Sequence, residues 1–583
     1  MVSRSHSARW LALGAAVLLP ACAATPPLAT RPSVPAAPAT SAPAVYESGS
    51  VSAADPRAVQ AGLDMLRQGG NATDAAIATM LALNVVEPQS SGIGGGGFYL
   101  HADAAGRMHA LDGRETAPAA ATPQRFLGAD GQPLPFRQAV VSGLSVGVPG
   151  NVALIAKAHA LDGKLPWAAL FQPAIRLARE GYVLSARGSA SLAAQPDSGA
   201  HDAEARAIYY GADRKALPPG TTIHNLALAG TLETIAAKGD AAFYRGPLAK
   251  AIANEVAAET PRDGRMTSSD LAAYAAKPRP VPCGTYRVYR ICGMGPPSSG
   301  ETTVLAILDA LENFDLASLG PASPVAWHLF AEAQRLAFAD REKYLGDSDF
   351  LKVPVAGLTD HAYLVARGKA IDPARTMPPP SAGIPPGADM ARATGRSYPE
   401  SGTSHFVVID RAGNVVSYTS TIESAFGAGL FVGGFYLNNE LTDFNFTPDK
   451  GGIPSANRVE GAKRPRSSMA PTLVYGPDGK LLLAIGAAGG ATIPVQVARS
   501  LIGFLDWHLP IGEALALPML FSPEGTAYVE PGTPLEAMVP ALEKLGHKVQ
   551  VMRLSYKTNA IAVVDGKLVG AADPRSEGVA SDQ

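Results

Sequence analysis

The sequence GTSHFVVIDRAGNVVSYTSTI, residues 402–422, predicts two antiparallel strands joined by a tight turn. The two strand segments, 403–410 and 414–422, are rich in valine, isoleucine, threonine and aromatic residues, which favour strands. The three residues between them end in Gly413, and glycine in the left-handed conformation commonly closes hairpin loops of this length. The hairpin also marks the point where the pattern of the chain changes from a helical period to a period of two.

The register of this hairpin brings two threonines together. If Asp410 pairs with Asn414, Thr421 lies directly across from Thr403, with the Cβ atoms about 5 Å apart and the hydroxyl groups within hydrogen-bonding reach. Thr403 also follows the Pro/Gly-rich segment 378–402, a predicted exposed loop in which backbone cleavage would free the threonine amine. A threonine with a free α-amine carries both a nucleophile and its own base. The alternative is an ordinary threonine at the start of a strand.

Around the hairpin, strand and helix patterns mix, which predicts a layered α/β architecture. Helices are predicted at 57–68, 167–180, 225–238, 246–259, 301–313, 323–345, 494–507 and 536–546. One more follows the first of these and is capped by Asn71 or Thr73. Further strands are predicted at 98–101, 434–438, 471–475 and 480–486, and a last hairpin turns at Asp565-Gly566.

The composition excludes several classes of protein. The chain has 583 residues, of which 47% are hydrophobic and 17% charged, so it can bury a large core. A net charge of −2 argues against a nucleic-acid binder. Three cysteines exclude a disulfide scaffold, and the eleven histidines form no metal-ligand motif. We therefore predict neither a metal site nor a cofactor.

The amino terminus predicts export. Arg4 and Arg9 precede a short apolar run that is typical of a secretory signal and too short to span a bilayer. The signal is predicted over 1–21, followed by an Ala/Pro-rich tether over 22–48. The sequence Leu-Pro-Ala-Cys that ends at Cys22 predicts a lipidated, periplasmic protein, and ordinary cleavage beside this cysteine is the alternative.

The other two cysteines, Cys283 and Cys292, flank a strand-like stretch. In an oxidising compartment a disulfide between them would close a short hairpin. Two unpaired buried thiols are the alternative, because spacing alone does not fix the bond geometry.

Two glycine motifs suggest other chemistries. Residues 92–97 satisfy the dinucleotide pattern GxGxxG, but a helix pattern precedes them and a strand follows, which is the reverse of what that site needs. Residues 143–147 satisfy the pattern GxSxG around Ser145, yet Pro149-Gly150 delays the helix that should follow at once. We favour close packing for the first motif and a loop for the second, and keep serine hydrolysis at Ser145 as a rival.

Further short motifs occur in order along nearly the whole chain after the tether: GGNATDA (69–75), SGIGGGGF (91–98), LDGRETAP (111–118), PPSSG (296–300), TSH (403–405), LNNELTDF (437–444), KRPRSSM (463–469) and ADPR (572–575). Together they resemble the γ-glutamyltranspeptidase family of N-terminal-nucleophile hydrolases. The resemblance implies a four-layer αββα sandwich and a precursor that cleaves itself between Gly402 and Thr403. Residues 49–402 would form the large subunit and 403–583 the small, catalytic subunit of one folded unit.

The resemblance also implies a reaction. Thr403 attacks the γ-amide of glutathione or a related γ-glutamyl compound, forms an acyl-enzyme, and passes the acyl group to water or an amine. Thr421 orients and activates this nucleophile. Gly489 and Gly490 supply the backbone N–H groups of an oxyanion hole.

The substrate-binding residues follow from the same resemblance. Arg114 binds the α-carboxylate of the substrate, because a guanidinium can donate to it bidentately, and Ser467 and Ser468 add donors. Glu440 and Asp443 accept hydrogen bonds from the α-ammonium.

Three departures from the family pattern bear on specificity. Glu423 stands where the family often has a substrate-contacting asparagine, and its charge would repel a misplaced carboxylate. Ala487-Ala488 replaces a common Ser-Pro, and no tyrosine lies between Asp443 and Ser467 to gate the pocket.

Two rivals therefore remain beside the γ-glutamyl enzyme. One is an acylase of the same fold that acts on glutaryl or cephalosporin-type amides, and the other is an unprocessed, non-catalytic binding protein. The expected partners are a small-molecule donor, water or an amine acceptor, and the two subunits themselves. We expect no nucleic acid, and membrane contact only through a lipid anchor.

Overall fold

The computed structural model describes residues 45–389, 391–395 and 402–583. The predicted signal, Cys22 and most of the predicted tether lie outside the described residues. Tyr46 is already buried, and its N–H donates to the carbonyl of Arg411 at 2.9 Å, so the folded body begins before residue 48, the predicted end of the tether. Among the described residues, no helix combines the length and hydrophobicity that crossing a bilayer requires.

The described residues form strands β1 Ser50–Ala53, β2 Gly96–Ala102, β3 Met108–Asp112, β4 Tyr182–Val183, β5 Thr222–Ile223, β6 Lys277–Arg279, β7 Cys283–Tyr286, β8 Tyr289–Gly293, β9 Ser404–Ile409, β10 Val415–Thr421, β11 Phe431–Val432, β12 Phe435–Tyr436, β13 Asp449–Lys450, β14 Ile453–Pro454, β15 Thr472–Tyr475, β16 Leu481–Ala488, β17 Leu520–Phe521, β18 Thr526–Val529, β19 Lys548–Val551, β20 Lys557–Val564, β21 Lys567–Ala572 and β22 Val579–Asp582.

They form helices α1 Pro56–Arg67, α2 Ala72–Val86, α3 Phe136–Val140, α4 Asn151–Asp162, α5 Trp167–Leu170, α6 Gln172–Glu180, α7 Ala186–Ala194, α8 Pro196–Gly199, α9 Ala203–Tyr209, α10 Leu226–Lys238, α11 Ala241–Tyr244, α12 Pro247–Ala258, α13 Ser268–Ala273, α14 Gly300–Ala310, α15 Leu316–Leu319, α16 Pro324–Tyr344, α17 Val355–Leu358, α18 His361–Gly368, α19 Ile493–Leu505, α20 Ile511–Ala516 and α21 Pro534–Lys544. Short 3-10 turns cover Leu311–Asn313, Glu440–Asp443 and Gly490–Thr492.

Two sheets form the middle layers of the molecule. One has seven strands in the order β22-β1-β9-β10-β2-β3-β6, and the other has six in the order β21-β20-β16-β15-β8-β7. Helices α1, α2 and α4 pack on the first sheet, and α14 and α19 pack on the second. The predicted four-layer αββα sandwich is confirmed.

The β9–β10 hairpin has the predicted register. Ile409 pairs with Val415 and Ser404 pairs with Ser420, which places Thr403 and Thr421 at the same level. Successive side chains of β9 point to opposite faces, so Phe406 and Val408 enter the core under α2 while Val407 and Ile409 enter the core between the sheets. Each fully buried side chain of this size contributes roughly 1.5–3 kcal/mol. Burial on both faces explains why β9 lacks alternation between apolar and polar residues.

Helix starts follow from local chemistry. Asn71 caps α2 in a capping box with Asp74, which decides between the two candidate caps that the sequence offered. The helix predicted over 167–180 is wrong as one element, since α5 ends at Leu170 and α6 begins at Gln172. Pro173 in the first turn of α6 lacks the N–H that a continuous helix needs.

Cys283 and Cys292 pair directly across β7 and β8 and are joined by a disulfide. Of the two alternatives that the sequence left open, the structure has the bridge.

Candidate active site

The peptide bond between Gly402 and Thr403 is buried at the beginning of β9, and hydrogen bonds hold both of its residues. The N–H of Gly402 donates to the carbonyl of Glu423 at 2.7 Å, and the N–H of Thr403 donates to the carbonyl of Ser90 at 3.0 Å. The Thr403 hydroxyl donates to Oγ1 of Thr421 at 3.0 Å. The predicted cleavage position is therefore a fixed peptide with a threonine hydroxyl beside it.

The backbone at this position is strained. Thr403 has a φ of +123°. Glu423, whose carbonyl accepts the N–H of Gly402, has a φ of +75°. A positive φ is a genuine outlier for a β-branched residue. Residues held in such conformations cost about 1–3 kcal/mol each and are concentrated at active sites.

The oxygen of Thr421 is held by two donors. Besides the Thr403 hydroxyl, it accepts the N–H of Glu423 at 2.8 Å. Two donors fix the position of this oxygen at the end of β10, directly beside the Thr403 hydroxyl. The arrangement suits activation of a weak nucleophile by an adjacent acceptor.

Gly489 and Gly490 form a turn at the end of β16, with φ angles of +126° and +61°. A chain of contacts connects this turn to the region of Thr403: Ala488, which precedes the glycines, pairs with Lys557, and Nζ of Lys557 donates to Oγ of Ser404 at 3.2 Å. The glycine turn thus lies at the same end of the sandwich as Thr403. A side chain at position 489 would also collide with the carbonyl of Ser555, 2.5 Å from the Cβ position.

Arg114, Glu440 and Asp443 come together in one buried cluster. The guanidinium of Arg114 is fully buried and forms ion pairs with both carboxylates. It also donates to the carbonyls of Pro465, at 3.2 Å, and Arg466, at 2.9 Å. Because buried charges need partners, the guanidinium and the two carboxylates neutralise one another in this cluster.

Glu423 links this cluster to the nucleophile. Its Oε2 accepts from Ser424 and Asn439, and Asn439 directly precedes Glu440. Two buried oxygens, Oε1 of Glu423 and Oε2 of Glu440, have no hydrogen-bond partner among the described residues. Burial raises the pKa of Glu423 to about 8, and the nearby charge of Asp443 adds to the rise. An ammonium group would supply the donors that these two oxygens lack.

The two predicted serines differ in their surroundings. Ser467 follows Arg466, whose carbonyl accepts from Arg114, so Ser467 lies beside the charged cluster. The hydroxyl of Ser468 instead accepts from Nη2 of Arg341 at 2.8 Å. No described hydrogen bond joins Ser468 to Arg114.

Comparison with known proteins decides the family. The sequence model described as Gamma-glutamyltranspeptidase matches residues 58–582. The chain belongs to the γ-glutamyltranspeptidase family. It is 37% identical over 548 residues to the glutathione hydrolase proenzyme of Escherichia coli (strain K12), with 92% of this chain and 91% of the relative covered.

Other proteins similar to this chain are named as acylases. The chain is 36% identical over 549 residues to the Acylase ACY 1 proenzyme of Pseudomonas sp. (strain SE83), covering 92% of this chain and 94% of the relative. A solved structure, the cephalosporin acylase from Bacillus halodurans, superposes with a TM-score of 0.81 at 28% identity, covering 95% of this chain and 99% of that one. The family fold is therefore shared by proteins named for different acyl substrates.

Beside Ser404, the residue that follows Thr403, lies an ionic network that the sequence analysis missed. Nζ of Lys557 donates to Oε2 of Glu87 at 2.9 Å, and the Ser404 hydroxyl donates to the same oxygen at 2.6 Å. Nζ also lies 3.4 Å from Oγ of Ser90. Burial lowers the pKa of Lys557 to about 8, although the Glu87 carboxylate favours the charged form. The available signal was a lysine at the start of an otherwise uncharged strand, β20.

The surroundings of Ser145 argue against it as a nucleophile. Ser145 is buried, and its hydroxyl donates to the carbonyls of Val140, at 2.7 Å, and Ser142, at 2.9 Å. No histidine or carboxylate contacts this hydroxyl among the described hydrogen bonds. The glycines of 92–97 serve close packing, since a Cβ on Gly95 would lie 1.9 Å from the carbonyl of Thr421.

Proposed function

We propose that this chain is a self-processing γ-glutamyl hydrolase and transferase with Thr403 as its nucleophile. The observation that carries the proposal is the Thr403–Thr421 hydroxyl pair beside a strained, fixed peptide bond in a member of this family. The names of two relatives, glutathione hydrolase proenzyme and Acylase ACY 1 proenzyme, support a precursor that is cleaved.

Processing begins with attack of the Thr403 hydroxyl oxygen on the carbonyl carbon of Gly402. The C–N bond breaks, the threonine nitrogen takes up a proton, and the two residues are joined by an ester. Water hydrolyses the ester, which leaves a carboxylate on Gly402 and restores the hydroxyl on Thr403. Release of the positive φ at Thr403 favours the products.

Catalysis uses the freed amine. The Ser90 carbonyl, which accepts the Thr403 N–H, stays as an acceptor that holds this amine beside the hydroxyl. The hydroxyl attacks the γ-amide carbonyl of the donor, and its proton goes to the leaving amine. The N–H groups of Gly489 and Gly490 stabilise the negative oxygen of the tetrahedral intermediate. Water or an acceptor amine then resolves the acyl-enzyme.

Donor binding exchanges ion pairs inside the cluster. The α-carboxylate of the donor takes donors on Arg114 and Ser467 in place of the protein carboxylates. Glu440, Asp443 and Glu423 then accept from the α-ammonium. The exchange keeps each buried charge paired, which is the condition for burying it at all. Ser468 joins the carboxylate site only if its hydroxyl leaves Arg341.

A second candidate, an acylase for a different acyl group, is favoured by Glu423. A glutaryl donor has no α-ammonium, so buried carboxylates around its free end would be unfavourable unless they stay protonated, and Glu423 has its pKa raised to about 8. Parallel assays with γ-glutamyl and glutaryl anilides separate the two functions. Turnover of the glutaryl compound alone would reject the γ-glutamyl assignment.

The nucleophile itself is tested by Thr403→Ala, with Ser145→Ala as the matched control. We expect the first variant to remain a single uncut chain without activity, and the second to be cut and active. Amino-terminal sequencing of the smaller fragment should begin at Thr403. A wild-type preparation that is active and uncut would contradict the proposal.

We further propose export, with the large and small subunits staying associated. The signal pattern at the amino terminus and the disulfide between Cys283 and Cys292 support it, because such bonds persist in oxidising compartments. Lipidation at Cys22 is tested by mass spectrometry of the mature amino terminus, where an unmodified cysteine would reject the anchor.

A further inference from the structure

Two histidines and one aspartate lie close together at the end of the first sheet that is far from Thr403 and Thr421. His101 on β2 pairs directly across from His109 on β3, and their ring centroids are 4.9 Å apart. Asp162, the last residue of α4, places Oδ2 2.9 Å from Nε2 of His109. One potential ligand atom from each of the three residues lies within 4.8 Å of the other two.

The chemistry of this group fits a metal ion better than a structural ion pair alone. His101 is only 7% exposed, and its Nδ1 has no hydrogen-bond partner among the described residues. The orphaned nitrogen is unexplained by the fold, whereas two imidazoles and a carboxylate are a common ligand set for divalent transition metals. Tyr99 steadies the carboxylate by donating to Oδ2 of Asp162 at 3.3 Å.

The position of Asp162 adds a second argument. It closes α4 at the carboxyl end, where the helix dipole is negative and a carboxylate is unfavourable. A cation bound to this carboxylate would offset both charges. We propose that His101, His109 and Asp162 bind one divalent late first-row transition-metal ion, with Zn²⁺ as the representative, and that water completes its coordination.

The site is separate from the proposed catalytic centre. Gly96 on β2 lies across from Thr421, and His101 is five residues further along the strand. At about 3.4 Å per residue, that places the metal site roughly 17 Å away. The ion would therefore clamp the β2–β3 hairpin to the end of α4 and take no part in acyl transfer.

The sequence analysis predicted no metal site because the spacing of the histidines matches no ligand motif. The two rings meet through strand register, which becomes visible only once β2 and β3 are paired.

The test is calorimetric titration of Zn²⁺ into the untagged, chelator-treated full chain. We expect a saturable site with one ion per chain and a micromolar or lower Kd. His109→Ala and Asp162→Asn change partly exposed side chains, so both variants should fold, and each should weaken binding at this site at least 100-fold. The matched control is His361→Ala, which removes a histidine paired with only one carboxylate, Asp309, at 3.2 Å. This control should bind Zn²⁺ as the wild type does.

Co²⁺ provides a spectroscopic readout. Its visible absorption should report nitrogen and oxygen ligands in the wild type and should be lost in His109→Ala. Hydrolytic activity should stay within twofold of wild type in the same variant. Absence of saturable Zn²⁺ binding, or binding left intact in both ligand variants, would overturn the proposal.

Discussion

The carbonyl of Glu423 accepts the N–H of Gly402 at 2.7 Å. The residue that departs from the family's usual asparagine therefore also holds the residue before the predicted cleavage position. Its side chain faces the charged cluster around Arg114, while its main-chain carbonyl holds the peptide at the predicted cleavage position. The proposed processing and the proposed donor specificity therefore both involve Glu423, and each can be tested by experiment.

Gly402→Ala should slow processing at least tenfold. A Cβ at this position would lie 2.1 Å from the carbonyl of Glu423, so the backbone must move and the aligned peptide is lost. Time courses on denaturing gels measure the rate. Gly525→Ala is the control, because nothing lies within 4 Å of a Cβ built there. Equal cleavage rates for both variants would show that the alignment is unimportant.

Thr421→Val should reduce both processing and turnover about 100-fold, since a positioned proton acceptor contributes roughly 10²–10⁴-fold. Valine keeps the shape of threonine but cannot accept from the Thr403 hydroxyl or the Glu423 N–H. Thr421→Ser retains the oxygen and should keep at least a tenth of the wild-type rates. The hydroxyl pair would be irrelevant if the valine variant matched the serine variant.

Glu423 should make donor binding depend on pH. Its raised pKa keeps the carboxyl neutral below about pH 8, and rising pH creates the charge that attracts an α-ammonium. Between pH 6.5 and pH 8 the ionised fraction grows about sixteenfold, so KM for a γ-glutamyl donor should fall by about the same factor. Glu423→Asn and Glu423→Gln cannot ionise, and their KM should change less than twofold over this range. A parallel fall of KM in these variants would assign the effect to another group.

The same carboxyl should affect stability with a definite sign. A pKa raised from 4.5 to about 8 means that only the unfolded state ionises between these values, so this group lowers stability as pH rises through that window. Urea unfolding of the uncut Thr403→Ala protein is the measurement. Adding Glu423→Gln should make the stability fall less steeply between pH 5 and pH 8. An unchanged slope would mean that the folded-state pKa is ordinary.

Lys557→Met should destabilise the protein, because it leaves the buried carboxylate of Glu87 unpaired at a cost of about 3–5 kcal/mol. The double variant Lys557→Met/Glu87→Gln removes both charges and should recover most of the lost stability. We expect its processing to remain at least tenfold slower than wild type, since Ser404 loses the Lys557 ammonium and keeps only a neutral amide oxygen as its acceptor at position 87. Wild-type processing in the double variant would show that the ion pair is structural only.

Elements that depend on neighbouring residues were predictable from the sequence. The β9–β10 register follows from strand alternation and the loop that ends in Gly413, and the cap at Asn71 follows from its own side chain. The error at 167–180 has the same origin, because the helical period hides the effect of Pro173.

Pairing over long distances was not predictable from the residues alone. Lys557 and Glu87 are separated by 470 residues, and they become partners only because the end of α2 and the start of β20 meet in the folded chain. The burial of Arg114 between two carboxylates likewise depends on where three loops meet, although the family motifs indicated which residues take part.

The order of strands also determines how the two predicted subunits could separate. Strand β1, from the predicted large subunit, lies between β9 and β22 of the small one, and β8 pairs with β15 in the second sheet. Strands of the two predicted subunits therefore pair with each other in both sheets, and cleavage between Gly402 and Thr403 would not by itself separate them. Dissociation would require unravelling both sheets, and separately made halves would each lack the neighbours that complete their own strands.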